Sequence, residues 1–217
     1  TGVPTVTKNS FLGNQLTLPA YADLSVIVAH WIVDLIDDGC SGIAELGCGY
    51  GRNLFNIHHL GGPLGIPYYA TEFTESGQAL ASLLASLEDT IDLRVDHFDH
   101  TAVDLRFIDD SNHLFAFTCH SIEQVPEIPG SYFEDLARGA KKLTCIHFEP
   151  FGFQVSTDNP YSVRQKKLFN ERGWNTNFFE VLKTAATAGT INLTHVYKDI
   201  IPNEEVSPTS VAIWQNF

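Results

Sequence analysis

The chain has 217 residues, of which 44% are apolar, 12% aromatic and 18% charged. That balance fits one globular domain with a substantial core and excludes disorder, collagen and coiled coil. Lys and Arg number 13 against 26 Asp and Glu, a formal charge of −13, so nucleic acid and anionic membrane surfaces are not expected partners, because both are met with Lys and Arg. The four Cys (Cys40, Cys48, Cys119 and Cys145) contain no C-x-x-C pair, which argues for free thiols in a reducing cytoplasm rather than a disulfide scaffold or a zinc site. No uninterrupted apolar run predicts a membrane span. The N-terminal TGVPTVTKNS lacks the pattern of a signal peptide, and the absence of Met even at the start reads as a processed or trimmed chain.

Residues 1–19, rich in Thr, Gly, Asn and Pro, predict an extended arm or lid segment. Residues 20–38 predict a helix, with Leu24, Ile27, Val28, Trp31, Ile32 and Leu35 on one face. A short apolar strand, Gly42 to Leu46, runs into glycines, and a helix follows over 52–60. After a Gly/Pro-rich break come a strand at Tyr68–Thr71, a helix at Thr74–Leu87 and a strand at Ile91–Val95. A fourth strand at Leu114–Thr118, a helix at Ser131–Lys142 and a fifth strand at Leu143–Phe148 continue the alternation. Residues 161–188 read as mostly helical. Thr190–Ile201 and Val206–Trp214 alternate as strands and predict a C-terminal antiparallel hairpin. The fold class expected is therefore α/β: a doubly wound, Rossmann-like, mostly parallel sheet with that hairpin and an N-terminal helical lid. The whole chain reads as a single domain, with 1–38 as arm and lid helix and 39–217 as the α/β core.

The most informative stretch is Ile43-Ala44-Glu45-Leu46-Gly47-Cys48-Gly49-Tyr50-Gly51-Arg52-Asn53. An apolar strand carries an acid, turns through alternating glycines and enters a helix. Ligands of open α/β sheets bind beyond the carboxyl ends of the strands, where glycine lets the backbone turn sharply and approach the ligand. The G-x-G-x-G spacing is not the dinucleotide G-x-G-x-x-G, and no Gly-Lys-Ser/Thr follows to make a phosphate loop. Glu45, two residues before the first glycine, suits an amine-bearing ligand better than a pyrophosphate.

Glu45-Leu46-Gly47-Cys48-Gly49-Tyr50-Gly51 resembles the first motif of class I S-adenosylmethionine-dependent methyltransferases. The resemblance implies that the loop of Gly47, Cys48, Gly49 and Gly51 passes beside the methionine part of that cofactor and that Glu45 positions its amino end. In Tyr68-Tyr69-Ala70-Thr71-Glu72-Phe73, Glu72 matches the family acid that holds both ribose hydroxyls, with Phe73 beside it. In Val95-Asp96-His97-Phe98-Asp99-His100, Asp99 matches the acid near the adenine amino group, with Asp96 as its alternative and Phe98 or His100 as a cover for the adenine face. A turn or helix cap is the other reading of Asp99. Phe115 to Val125 resembles the family's fourth region, with Gln124 in place of its usual His and Cys119 near the cofactor.

The activity implied is methyl transfer from S-adenosylmethionine to a small-molecule or glycan-like acceptor, at oxygen. The cofactor supplies the reactive methyl, and the protein binds and aligns the partners. His120, leaving the fourth strand, is the candidate general base for a hydroxyl; capping the following helix or binding the adenine side are its alternatives. His147 and Glu149 share one side of the fifth strand and are candidate acceptor contacts, with a buried ion pair or loop cap as the other reading of Glu149. Aromatics at Tyr21, Trp31, Phe151, Phe153, Tyr161, Trp174, Phe178 and Phe179 flank the same end. No His cluster has metal-site spacing, so no metal is expected. No Asn/Asp-Pro-Pro-Tyr motif follows the fourth strand, which points away from DNA bases. The alternative reading is a non-catalytic cofactor-binding or regulatory module of a larger protein, and a nicotinamide oxidoreductase is a distant third.

Overall fold

A computed structural model describes residues 6–19, 24–108, 112–204 and 207–217. The chain runs β1 (Val6–Phe11), β2 (Asn14–Pro19), α1 (Leu24–Leu35), β3 (Gly42–Leu46), α2 (Arg52–His59), β4 (Tyr68–Glu72), α3 (Glu75–Ala85), β5 (Leu93–His97) and β6 (Leu114–Cys119). A 3-10 turn at Ile122–Gln124 leads to α4 (Tyr132–Arg138), β7 (Leu143–Glu149), α5 (Gly152–Val155), α6 (Pro160–Arg172), α7 (Phe178–Thr187), β8 (Asn192–Ile201), β9 (Asn203–Glu204) and β10 (Thr209–Gln215).

Seven strands form one sheet in the order β5-β4-β3-β6-β7-β10-β8. The first five are mutually parallel, and β10 lies antiparallel between β7 and β8. The order reverses between β3 and β6, so the chain leaves these two strands toward opposite faces of the sheet, to α2 and to α4, and a crevice opens between the two exits. Strand alternation divides the core between two faces. Ile43, Phe115, Phe117, Ile146 and Phe148 pack with Val28, Ala29 and Ile32 of α1 and with Leu54 and Ile57 of α2. Ala44, Leu46, Ala116 and Cys145 pack on the other face with Tyr132, Phe133 and Leu136 of α4 and with Phe178 and Leu182 of α7. Strand β7 is buried at every position, as a strand covered on both faces must be.

The first and last segments differ in part from expectation. No helical lid is shown among the described residues. β1 and β2 instead form a hairpin whose two-residue turn, Leu12-Gly13, has φ of 48° and 77°, the double positive that a tight hairpin turn demands. β9 pairs onto β1, giving a second, three-stranded sheet. Helix α1 buries Val28, Ala29 and Ile32 completely and is a core layer. Tyr21 lies outside the described residues. The helical stretch expected over 161–188 is two helices, because Gly173 takes φ 65° at the end of α6, and the side chain of Asn175 accepts from the N–H groups of Asn177 and Phe178 to start α7. The C-terminal hairpin is present as β8 and β10. No helix among the described residues is long and apolar enough to cross a membrane.

Candidate active site

Strand β3 delivers the glycine loop to the crevice. The N–H groups of Gly47 and Cys48 both donate to the carbonyl of Thr71, at 2.9 and 2.8 Å, which ties the loop to the end of β4. Gly47 has φ 80°, and a Cβ there would lie 2.6 Å from Ser121 Cβ. Gly49 has φ 60° and open space where a Cβ would stand. The first glycine is thus required by the protein itself, whereas the second leaves an unfilled approach to the backbone.

Glu45 is 1% exposed. Its Oε1 accepts from Asn53 Nδ2 of α2 at 2.5 Å, while Glu45 Oε2 and Asn53 Oδ1 are buried acceptors with no donor. Burial pushes the Glu45 carboxyl up to about 8, against the Asn53 hydrogen bond and with the help of Glu72. Two unsatisfied acceptors at the root of a loop with open space are what an ammonium donor would complete. Asn53 carried no signal in the sequence beyond being the second residue of the helix after the glycines.

Glu72 ends β4, and its carboxylate holds the loop from the other side. One oxygen accepts from the Gly49 N–H at 2.9 Å; the other accepts from the Thr74 N–H and hydroxyl at 2.9 and 2.8 Å. Phe73 is 61% exposed, with its ring 5.6 Å from that of His97. Beyond β5, Asp96, His97, Phe98, Asp99 and Phe107 line a cleft of about 430 Å3. Asp99 accepts from the Thr101 N–H and hydroxyl, both at 2.7 Å. Partial burial works to raise its carboxyl, but these bonds outweigh it and the group sits below its ordinary value. It is therefore both the expected turn cap and a residue of the cleft.

His100 is 7% exposed and lies beneath the loop. Ser121 Oγ donates to the Leu46 carbonyl at 2.8 Å, so the His100 Nε2 at 3.1 Å is the N–H donor to Ser121 and Nδ1 accepts from Tyr132 Oη at 2.8 Å. Burial lowers this imidazole to about 4. Its ring braces the loop through Ser121 and does not cover an adenine site. Ser121, which the sequence did not single out, joins β3, β5 and β6 at one point. Burial also raises the Cys48 and Cys119 thiols, with Glu45 adding to both, so neither is a thiolate.

His120 follows β6 with φ 51°. Its Nε2 lies 2.7 Å from Thr209 Oγ1 and its Nδ1 3.3 Å from Glu123 Oε1. The side chain is 18% exposed. Glu149 Oε1 accepts from the N–H groups of Ser121 and Ile122 at 3.1 and 3.3 Å, the loop-cap arrangement. Burial pushes Glu149 up to about 7, opposed by His120 and helped by Glu123. His147 does not reach the open end. It is fully buried, its Nε2 accepts from Trp214 Nε1 at 2.9 Å and its Nδ1 meets Thr118 Oγ1 at 3.0 Å. Burial lowers it to about 3, so it is a neutral core histidine. Alternation put His147 and Glu149 on one side of β7 correctly, but that side is packed beneath α4 and α7 until Glu149. Among the described residues no group of three or more His, Cys, Asp or Glu side chains is arranged to hold a metal ion.

No protein-family model matches the sequence, and no curated protein matches it. Solved structures do match. A SAM-dependent methyltransferase from Aquifex aeolicus aligns over 89% of this chain and 90% of its own, at 15% identity and a TM-score of 0.53. Magnesium protoporphyrin IX methyltransferase from Synechocystis PCC 6803, solved with bound SAH, aligns over 89% and 82%, at 13% identity and a TM-score of 0.58. The CcbJ methyltransferase from Streptomyces caelestis aligns over 88% of each chain, at 14% identity and a TM-score of 0.54. With the seven-stranded order and the loop at its switch point, these likenesses establish that the chain has the fold of the S-adenosylmethionine-dependent methyltransferases.

Proposed function

We propose that the protein is an S-adenosylmethionine-dependent methyltransferase acting at oxygen on a small-molecule or glycan-like acceptor. The observation that carries this is the pair of donor-less buried acceptors, Glu45 Oε2 and Asn53 Oδ1, at the root of the glycine loop. These two would take the ammonium of the cofactor. The backbone at Gly49 and the Glu72 carboxylate would meet its ribose, and the cleft at Asp99 with Phe73 and His97 would receive adenine. When bound, S-adenosylmethionine supplies an electrophilic methyl on a good leaving group.

The chain's own residues then have to orient the acceptor and hold its proton. His120 is the proposed base. Glu123 holds its Nδ1 side, which leaves Nε2, now shared with Thr209, as the nitrogen that accepts the hydroxyl proton. Transfer of a labelled methyl from the cofactor to small molecules extracted from a lysate tests this. His120→Ala is expected to lower the rate by about 10²-fold or more with S-adenosylhomocysteine affinity unchanged. An unaltered rate would remove His120 as the base, and absence of any transfer by a protein that binds the cofactor would favour a non-catalytic module.

A further inference from the structure

Behind His120, two carboxylates face one small cavity. Glu123 and Glu149 are 9% and 2% exposed, and each has one buried oxygen, Oε2 in both cases, with no donor at hydrogen-bond distance, the Thr118 hydroxyl standing near enough to Glu149 to favour its ionised form. Both residues line a cavity of about 10 Å3 together with Phe151, Gln154, Phe169 and Phe178. Their other oxygens are committed: Glu123 Oε1 to His120 Nδ1 and Glu149 Oε1 to the N–H groups of Ser121 and Ile122. Among the described residues no Lys or Arg forms a salt bridge to either carboxylate.

A cavity of that size holds about one water molecule, and the –NH3+ head of an alkylammonium ion is about as large, its carbon chain leaving through the cavity mouth. Unlike water, it brings a permanent positive charge to two carboxyl groups whose cationic neighbour is His120 only when that imidazole is protonated, and three donors for their open oxygens. The aromatic walls favour a cation over a neutral hydroxyl. We propose that this cavity is an acceptor subsite for a protonated amine, so that the acceptor is an amino alcohol held by its ammonium between Glu123 and Glu149 while its hydroxyl faces His120. The assignment of hydroxyl and base rests on the methyltransferase reading above; the ammonium site does not.

The test is NMR titration of the protein, with and without S-adenosylhomocysteine, using methylammonium chloride, with methanol and sodium chloride as neutral and ionic controls. The signals observed are the side-chain carboxyl carbons of Glu123 and Glu149. Methylammonium is expected to shift them saturably, methanol and sodium chloride are not, and Glu123→Gln or Glu149→Gln should weaken binding at least 10-fold. No saturable shift, an equal response to methanol, or unchanged affinity in both folded variants would overturn the proposal and leave a buried water as the occupant. If Glu149→Gln fails to fold because its loop cap is lost, Glu123→Gln decides. If neither folds, the comparison of methylammonium with methanol on the unaltered protein decides. Methylammonium binding by a protein that ignores S-adenosylhomocysteine would sustain this site and overturn the methyltransferase reading; the reverse result would overturn this site alone.

Discussion

Glu45 is held protonated by burial near neutral pH, yet its proposed partner is an ammonium, which favours the ionised form. Binding must then expel a proton wherever the pH is below about 8. S-adenosylhomocysteine, which keeps the ammonium, is expected to bind with proton release at pH 6–7, and its affinity should fall as pH drops from 8 to 6, by up to about tenfold per unit. Calorimetry in buffers of different ionisation enthalpy measures both, and a pH-independent affinity without proton exchange would contradict the role given to Glu45. Two glycines separate structural from ligand demands. Gly47→Ala puts a methyl into Ser121 at a positive φ and should cost about 2–4 kcal/mol in stability. Gly49→Ala meets no neighbour, so only the backbone cost of about 1–2 kcal/mol should appear in stability, with the larger loss in cofactor affinity. Denaturant titration and ligand titration of both variants distinguish these outcomes.

At the scale of elements, α6 shows how a local signal is written in the chain. Asn159 caps it by accepting from the N–H groups of Tyr161 and Ser162 at 2.9 and 3.0 Å, and Pro160 occupies the first helical position. Asn159→Ala should cost about 1 kcal/mol, read as a lowered Tm; an unchanged Tm would mean that the cap is redundant. Local signals also made β3, β4 and β7 legible from the sequence, as short apolar runs with glycine or proline at one end, and β6 as a short apolar run between polar residues. The helices after β7 were less legible. Their break depends on a left-handed Gly173 and on Asn175 bonding forward, which hydrophobic periodicity does not register. The hairpin β1–β2 was not legible because its turn, Leu12-Gly13, puts a leucine where such a turn usually has Asn, Asp or Gly. Among site residues, Glu45 and Glu72 lie against the loop of Gly47 and Gly49. His100 and His147 do not face the crevice, since periodicity cannot separate a cleft from a core when both faces of a strand are covered. Asn53 and Ser121 were invisible because their roles are contacts with residues from other elements.

For the whole molecule, buried ionisable groups shape stability against pH. Glu45 and Glu149 keep their protons when folded up to about 8 and about 7, against an ordinary 4.5. His100 and His147 stay neutral when folded down to about 4 and about 3, against an ordinary 6.5. Between about 4.5 and 6.5 the unfolded chain has lost the two carboxyl protons but gained the two imidazole protons, so the effects oppose one another. From about 6.5 to 8 only the carboxyls differ. The folded state then binds more protons than the unfolded one, and stability falls as pH rises. The ligand-free protein should accordingly show a Tm that is nearly level between about pH 4.5 and 6.5 and declines from there toward pH 8; a rise from pH 6.5 to 8 would contradict the burial assigned to Glu45 and Glu149. The excess of acid over base, 26 against 13, is partly accounted for by these internal groups, and a net negative charge of that size repels polyanions.

Calorimetric titration of the folded protein with S-adenosylhomocysteine tests whether the loop of Gly47, Gly49 and Gly51, between Glu45 and Glu72, binds S-adenosylmethionine as proposed. Saturable one-to-one binding is expected, weakened by about 2–3 kcal/mol in Glu72→Ala, where charge-assisted hydrogen bonds to ribose and to the Gly49 N–H are lost together. A folded protein that takes up no S-adenosylhomocysteine would contradict it.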